Sequence, residues 1–439
     1  MSASKLMYRS KCTTWMALGC VLLAVVGRAA QDDAKQRVKA VRDLGKGGSE
    51  EISRIEPFLT DPDLDVRLEA VKAIVDIGTQ ASLNPLIKAT SDNDADVQFH
   101  ASDGLVNFYV PGYVKTGLTA PLRRMGTSIK SRFTETNDQV IDPYIQVRPE
   151  VIQALGRLAR GGASMESRAN AARAVGILRG RQALPDLEQA LHSKDTQVIY
   201  ECLVAIQKIR DPSAGASIIF LLRDLDERVQ IAAIETTGLL MYRDGITDLR
   251  GVLDRSKSMK VKRAALTALA QMPDQQLHGV YTSYLSNKDE GLREASAEGF
   301  GRLKDTGDRA TVESAFANER KTGPRLSLAF ALVAMGKHEM GEFDPLRYLV
   351  DNLNSTGYRG VARPYLTELA RDPEVRRQLS PALHDPMVTR DEKIGLAQVL
   401  SQSGDRDTLP ALEDLSRDSD KEVAQEGLRA LKNLRARLP

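Results

Sequence analysis

Five histidines, three cysteines and one dense run of bases are the residues here best suited to chemistry. His100, His192, His278, His338 and His384 are far apart, and none belongs to a His-x3-His or His-Glu-x2-His pair. Zinc and iron sites on helices need several such ligands at helical spacing, so no metal site is expected. Cys12 and Cys20 lie within the first thirty residues, which read as a signal, and this leaves Cys202 alone downstream and without an internal disulfide partner. No Gly-x4-Gly-Lys-Ser/Thr loop occurs, and Gly176-Ile-Leu-Arg-Gly180 reads as a helix ending. The histidines and cysteines therefore predict no catalytic group, cofactor or small-molecule substrate. The bases are different. Lys115, Arg123, Arg124, Lys130 and Arg132 fall within eighteen residues that hold no acid, just after the turn sequence Tyr109-Val-Pro-Gly-Tyr113. Leu118, Leu122, Met125, Ile129 and Phe133 recur among them at steps of 4, 3, 4 and 4. That spacing predicts a short amphipathic helix with one apolar and one basic face, a shape that binds anionic surfaces.

What positions that segment is a repeating helix pattern. With Val66 as anchor, equivalent residues are Val97, Ser167, Val198, Val229, Val261, Leu292, Pro324, Tyr358, Glu392 and Val423, at steps of 31, 70, 31, 31, 32, 31, 32, 34, 34 and 31. Three residues before each anchor, ten of eleven positions carry Asp, Ser or Thr, as Asp63, Ser164 and Thr389 do. Those side chains accept hydrogen bonds from the free amides of a helix start, so the column predicts N-caps. Four residues after the anchor nine of eleven are small, and eleven after it ten are apolar. Positions +4, +7, +8 and +11 share one helical face. Each capped helix is followed by a turn and a second apolar run, such as Ala183–Leu191, Gly245–Leu253 and Thr408–Leu415. Ala34–Leu44 and Ser49–Leu59 form a degenerate first pair, giving about twelve pairs. A helix pair this small buries its apolar face only against a neighbour, which predicts an all-α, α–α superhelix with a curved surface.

Composition agrees. Aromatic residues are 5% of 439, and 27% are charged, as suits a core of many small helix contacts. The net charge is +2, but residues 1–30 carry Lys5, Arg9, Lys11 and Arg28 without an acid, so the remainder carries −2. A chain this close to neutral gives no argument for nucleic-acid binding. The basic start, the apolar run Trp15–Val26 and the small residues Ala29 and Ala30 predict a secretory signal cleaved after one of those alanines. The expected division is a signal peptide over 1–30 and a repeat domain over 31–439, exported to a periplasm or secreted. An uncleaved membrane anchor is the alternative, and Asn354-Ser-Thr would accept a glycan in a eukaryotic host.

Val66-Arg67, Ala70, Ala73-Ile74 and Ile77-Gly78, followed by second helices like Ala183-Leu-Pro, resemble the short HEAT-like repeat also found in phycobilisome lyases. The resemblance runs over roughly residues 34–437 and implies a protein-binding scaffold rather than an enzyme. HEAT-like di-iron hydroxylases carry His-Glu pairs in several repeats, whereas this chain has only His338-Glu339. Arg67, Arg168, Lys262, Arg293, Arg325, Arg359 and Lys393 form a basic column one residue after the anchor. A polyanion track is one explanation; pairing with cap acids such as Asp63, Asp226 or Asp289 in adjacent repeats is the expected one, and it makes DNA-handling HEAT-like glycosylases a poor match.

The step of 70 holds the main departure, an insertion at about 109–147 between two helices of one pair. Insertions in solenoids map to loops on one face, often the binding face. Tyr109, Tyr113, Lys115, Arg123, Arg124, Lys130 and Arg132 are the candidate partner-binding residues. Two alternatives stand beside that of a protein-docking element: contact with an anionic membrane surface, and a flap that merely seals the solenoid. A lyase-related enzyme is the remote alternative.

Overall fold

The computed structural model describes residues 32–114, 139–142 and 144–438. Helices joined by short turns account for them, with no β-strand among the described residues. They fall into two compact units, one ending at Ile218 and the other starting at Ile219. Each is a stack of helix pairs, an all-α solenoid-type architecture.

In the first unit the pairs are α1 (32–44) with α2 (Ile52–Ile55), α3 (Leu64–Ile77) with α4 (Leu83–Ala89), α5 (Ala95–Tyr109) with α6 (Pro149–Gly161), and α7 (Met165–Ile177) with α8 (Leu184–Ala190). The unit closes with α9 (Thr196–Ile209) and a tight turn at Pro212–Gly215. In the second unit they are α10 (Glu227–Leu239) with α11 (Ile246–Arg255), α12 (Met259–Ala270) with α13 (His278–Tyr284), and α14 (Glu290–Leu303) with α15 (Arg309–Asn318). There follow α16 (Thr322–Ala334) with α17 (Pro345–Asp351), α18 (Arg359–Leu369) with α19 (Pro373–Ala382), α20 (Arg390–Ser403) with α21 (Leu409–Leu415), and the final helix α22 (Lys421–Arg437). Within a unit, successive capped helices pack on one another, and a second helix such as α4, α11 or α21 packs on the capped helix after it.

The N-cap column does what its chemistry requires. Asp63, Asp94, Ser164, Asp195, Asp226, Ser258, Asp289, Thr389 and Asp420 each accept from an amide of the first helical turn. Ser355 departs from the column: its Oγ accepts from the Tyr358 amide in a turn just before α18 begins. Lys321 cannot accept. There Glu319 Oε1 takes the amides of Arg320 and Lys321 at 2.9 and 2.8 Å, and Pro324 in the first turn has no amide to satisfy. Burial pushes the Glu319 carboxyl up, but these bonds and the one from Arg293 hold it below the ordinary carboxylate range.

Helix packing explains the small residues. At +4, Gly427 leaves room for the backbone of Leu415 and Ser416 on the preceding second helix, and Ser296 Oγ donates to the Tyr281 carbonyl at 2.6 Å. A second close approach joins successive capped helices, from position +9 on one to +7 on the next. A Cβ on Gly176 would lie 2.7 Å from Ala205 Cα, and one on Gly238 2.8 Å from Ala268 Cα. Where +9 is the larger Val75, the facing +7 residue is Gly104, whose added Cβ would meet Val75 Cγ2 at 2.3 Å. Gly238→Val therefore forces α10 and α12 apart. We expect a loss of about 2 kcal/mol, read as a lower urea midpoint at unchanged slope.

Helix C-termini carry a second regularity. The residue just past the last turn is left-handed at Gly78, Arg179, Arg210, Met241, Lys304 and Gly336. Gly78, Arg210 and Lys304 close with a single bond to the carbonyl four residues back. Arg179, Met241 and Gly336 close with a pair, for example Gly180 N–H to the Val175 carbonyl and Arg179 N–H to the Gly176 carbonyl. Left-handed backbone costs a residue with a Cβ about 1–2 kcal/mol and glycine nothing comparable.

Candidate functional site

The insertion leaves and re-enters through stems that hydrogen bonds fix. On the way out, Pro111 and Gly112 (φ 89°) occupy the middle of a turn closed by Tyr113 N–H on the Val110 carbonyl. The Val114 amide then donates to Asn107 Oδ1 on α5 at 3.0 Å. On the way back, the Ile141 amide donates at 2.8 Å to the Ile177 carbonyl. That carbonyl belongs to the end of α7, where the helix offers no partner of its own. The Ile141 side chain is buried, and Lys208 Nζ near the end of α9 donates to the Gln139 carbonyl at 3.1 Å. The outgoing stem is thus held on α5 and the return stem on α7 and α9. Before α6 starts, Arg148 N–H donates to Tyr109 Oη at 3.2 Å, and Arg148 Nη2 donates to Asn84 Oδ1 on α4 at 2.9 Å.

The predicted partner-binding residues separate on this geometry. Tyr109 is buried with its ring edge-on to Phe108, and its hydroxyl receives the returning chain. Tyr113 is half-buried in the stem turn. Lys115, Arg123, Arg124, Lys130 and Arg132 lie outside the described residues, as do the expected amphipathic helix and the signal segment.

Beside the stems runs a row of buried polar side chains that sequence reading missed. Asn170 Nδ2 on α7 donates to Ser102 Oγ and Asp103 Oδ1 on α5, at 2.8 and 2.9 Å. Gln98 Oε1 accepts from the Ala163 amide and from Ser167 Oγ, at 2.8 and 3.0 Å. Arg173 on α7 grips Glu201 on α9 through two nitrogens of one guanidinium edge, Nε to Oε2 at 3.2 Å and Nη2 to Oε1 at 2.9 Å. The two side chains are 2% and 0% exposed, and Gln197 Nε2 adds a third donor to Glu201 at 2.7 Å. A signal was present: Asp103 and Arg173 sit at +6, and Asn170 and Glu201 at +3. At +6 in the preceding repeat stands Lys72, which is exposed.

The basic column is largely occupied. Arg67 Nε reaches Asp92 in the next repeat at 2.9 Å, while its Nη1 donates to the Asp61 carbonyl behind it at 2.9 Å. Arg293 repeats this with Glu319 and the Asn287 carbonyl, and Lys393 pairs with Asp418. The acid engaged is mostly not the N-cap that the spacing suggested. It lies two residues earlier, as Asp92 and Asp418 do, and its other oxygen accepts the N-cap amide, binding base, turn and cap together. Asp289 is held by Arg263, at +2, rather than by Lys262. Arg325 instead lies 4.8 Å from the ring centres of both Phe316 and Tyr348.

Other reactive groups serve packing. The Cys202 thiol is buried, and burial pushes its pKa up, away from the nucleophilic thiolate. His278 Nε2 lies 2.9 Å from both oxygens of Asp308 across neighbouring helix pairs. The Asn354 amide is engaged with Glu392 Oε1 at 2.6 Å and with Thr389 Oγ1. Among the described residues no three His, Cys, Asp or Glu side chains are placed to hold a metal ion, and no helix is long and apolar enough to cross a membrane.

Comparison with known families gives two matches: HEAT repeats over residues 23–105, and the PBS lyase HEAT-like repeat over residues 167–193. The chain carries HEAT-like repeats. Similar solved structures include the complex of CpcE and CpcF of phycocyanin lyase from Nostoc sp. PCC7120, at 18% identity over 62% of this chain and 94% of that one, with a TM-score of 0.34. Human deoxyhypusine hydroxylase matches at 18% identity over 66% and 97%, with a TM-score of 0.27. Importin beta matches at 13% identity over 88% and 56%, with a TM-score of 0.41. No curated protein matches the chain. Gln98, Ser102 and Asp103 fall within the first match and Ser167, Asn170 and Arg173 within the second, while the stem residues 107–114 and 139–148 lie between the two and Glu201 follows the second.

Proposed function

We propose that this HEAT-like protein is a non-catalytic, exported scaffold that binds a protein partner through the segment between α5 and α6. The observation that carries this reading is the anchoring of the stems. A segment that served only to fill a seam would need no defined exit and entry. Here the two ends are hydrogen-bonded to α5 and to α7 and α9, so whatever lies between them is presented from a fixed frame. Five bases without an acid in that span suit a partner with an acidic surface.

The test replaces residues 115–138 with a Gly/Ser linker of about twelve residues, long enough to span two helix spacings, and leaves both stems intact. The expected result is a folded protein, with an unchanged far-ultraviolet spectrum, that no longer recovers its partners in a crosslinking pull-down. Recovery of every partner by the replaced protein would refute the assignment. Retention of wild-type protein on anionic vesicles, lost at high salt and absent from neutral vesicles, would favour the membrane-surface alternative instead.

A further inference from the structure

We propose that Arg179 and Arg210, with the exposed Tyr144 of the return stem, form a docking edge for an extended acidic segment of a protein partner. The proposal rests on the protein-partner reading above and names a surface for it outside the insertion's central span. Arg179 and Arg210 end α7 and α9, the two helices to which the return stem is pinned. Ile177, whose carbonyl holds Ile141, is two residues before Arg179; Lys208, which holds Gln139, is two residues before Arg210.

Both arginines are exposed and left-handed, at φ 49° and 56°. Neither side chain makes a hydrogen bond or ion pair within the described structure, in contrast to Arg67, Arg173 and Arg293. Glycine serves the same backbone roles elsewhere: Gly78 makes the single-bond closure of Arg210, and Gly336 the paired closure of Arg179. The chain therefore holds a strained residue with a long cation at two neighbouring helix ends where the fold accepts glycine. A cation at a helix C-terminus gains some dipole energy, but that gain needs no left-handed position, since any residue of the last turn supplies it. Met241 and Lys304 also hold this position; what sets Arg179 and Arg210 apart is that both are exposed arginines at the two helix ends to which the return stem is pinned, and there a contact outside the chain gives them a use.

Geometry sets the chemistry of that contact. Neighbouring helices pack about 8–10 Å apart, and a polyproline-II segment brings every third side chain to one face at a rise of about 9 Å. Acids three residues apart in such a segment match two arginines one repeat apart. Tyr144, 91% exposed and three residues past Ile141, adds an aromatic anchor of the type concentrated with arginine at protein interfaces. Nearby carboxylates leave the edge positive: Asp211 is bound to Arg181 and to its own turn, which leaves Asp142 as an exposed acid on the stem.

The test uses the full chain and a fluorescein-labelled glutamate peptide of about fifteen residues, read by anisotropy at low salt. Wild type is expected to bind it, and Arg179→Gly/Arg210→Gly to bind about tenfold more weakly, as two exposed ion pairs would give. The same variant is expected to melt about 2 °C higher, because glycine relieves the left-handed strain. A structural role for the arginines predicts the opposite shift. Equal peptide binding by variant and wild type, a lowered melting temperature, or binding of wild type to phosphatidylserine vesicles but not to the peptide would each overturn the proposal. The linker replacement of 115–138 separates the two readings. If it abolishes pull-down of partners while the glycine variant keeps full peptide binding, the insertion reading stands and the docking edge falls. The reverse pattern retains the edge alone.

Discussion

Arg173→Met is expected to destabilise the unit ending at Ile218 by about 3–5 kcal/mol at neutral pH. The pair it breaks is buried to 2% and 0% exposure, so Glu201 is left charged in the interior without its guanidinium, while the neutral Gln197 amide still donates to it. The cost comes less from the lost attraction than from a carboxylate that water cannot reach. Two measurements distinguish this from a packing defect. First, Arg173→Met combined with Glu201→Leu should recover most of the loss, because an apolar pair of similar volume carries no uncompensated charge. Second, the loss should depend on pH. In the single variant the folded state holds a buried carboxylate without its guanidinium, so the penalty is present where that carboxylate is charged and disappears where acid protonates it in both states. Urea midpoints at neutral and acid pH read this directly, and a loss that does not change with pH would contradict the account.

Leu269→Asp should cost about 4 kcal/mol or more in the unit that starts at Ile219. Leu269 is fully buried on α12, and its carbonyl accepts from Tyr281 Oη at 3.0 Å, so the side chain and the helix that carries it are both fixed. Repeat stacks hold together through nearest-neighbour interfaces, so the damage should be graded along the chain. Hydrogen exchange is expected to show lost protection in α10, α12 and α14, with protection retained in α20 and α22. Uniform loss across the unit would mean that its repeats unfold as one block.

Much of this architecture was legible in the sequence. The cap column placed nine helix starts, and Lys321 stood out as the position that cannot accept, as the Glu319 substitute cap bears out. The 70-residue step located the insertion between two helices of one pair, and these are α5 and α6. These features depend on one chain segment at a time, on helical period, orphan amides and the missing amide of proline, and each is a local property of residue types.

The site was less legible, because its defining contacts cross repeats. Tyr109 was a partner-binding candidate beside a turn, yet it is buried, and the amide of Arg148, 39 residues on, donates to its hydroxyl. Asp103, Asn170, Arg173 and Glu201 lie at helical positions that an amphipathic pattern assigns to solvent. The α5–α7–α9 stack closes over them, and their complementary charges make that burial tolerable. The basic column was visible, but which acid each base meets depended on the offset between stacked pairs, two residues away from the cap in most cases. Arg179 lay inside the predicted helix ending at 176–180, but its left-handed backbone and that of Arg210 were not legible, since a φ angle is not encoded in residue names. The sequence by itself determined where helices start, how they pair and where the pattern breaks. Only tertiary structure decided which polar groups are buried together and which cations remain unpaired, because both depend on side chains from different repeats meeting across a packed interface.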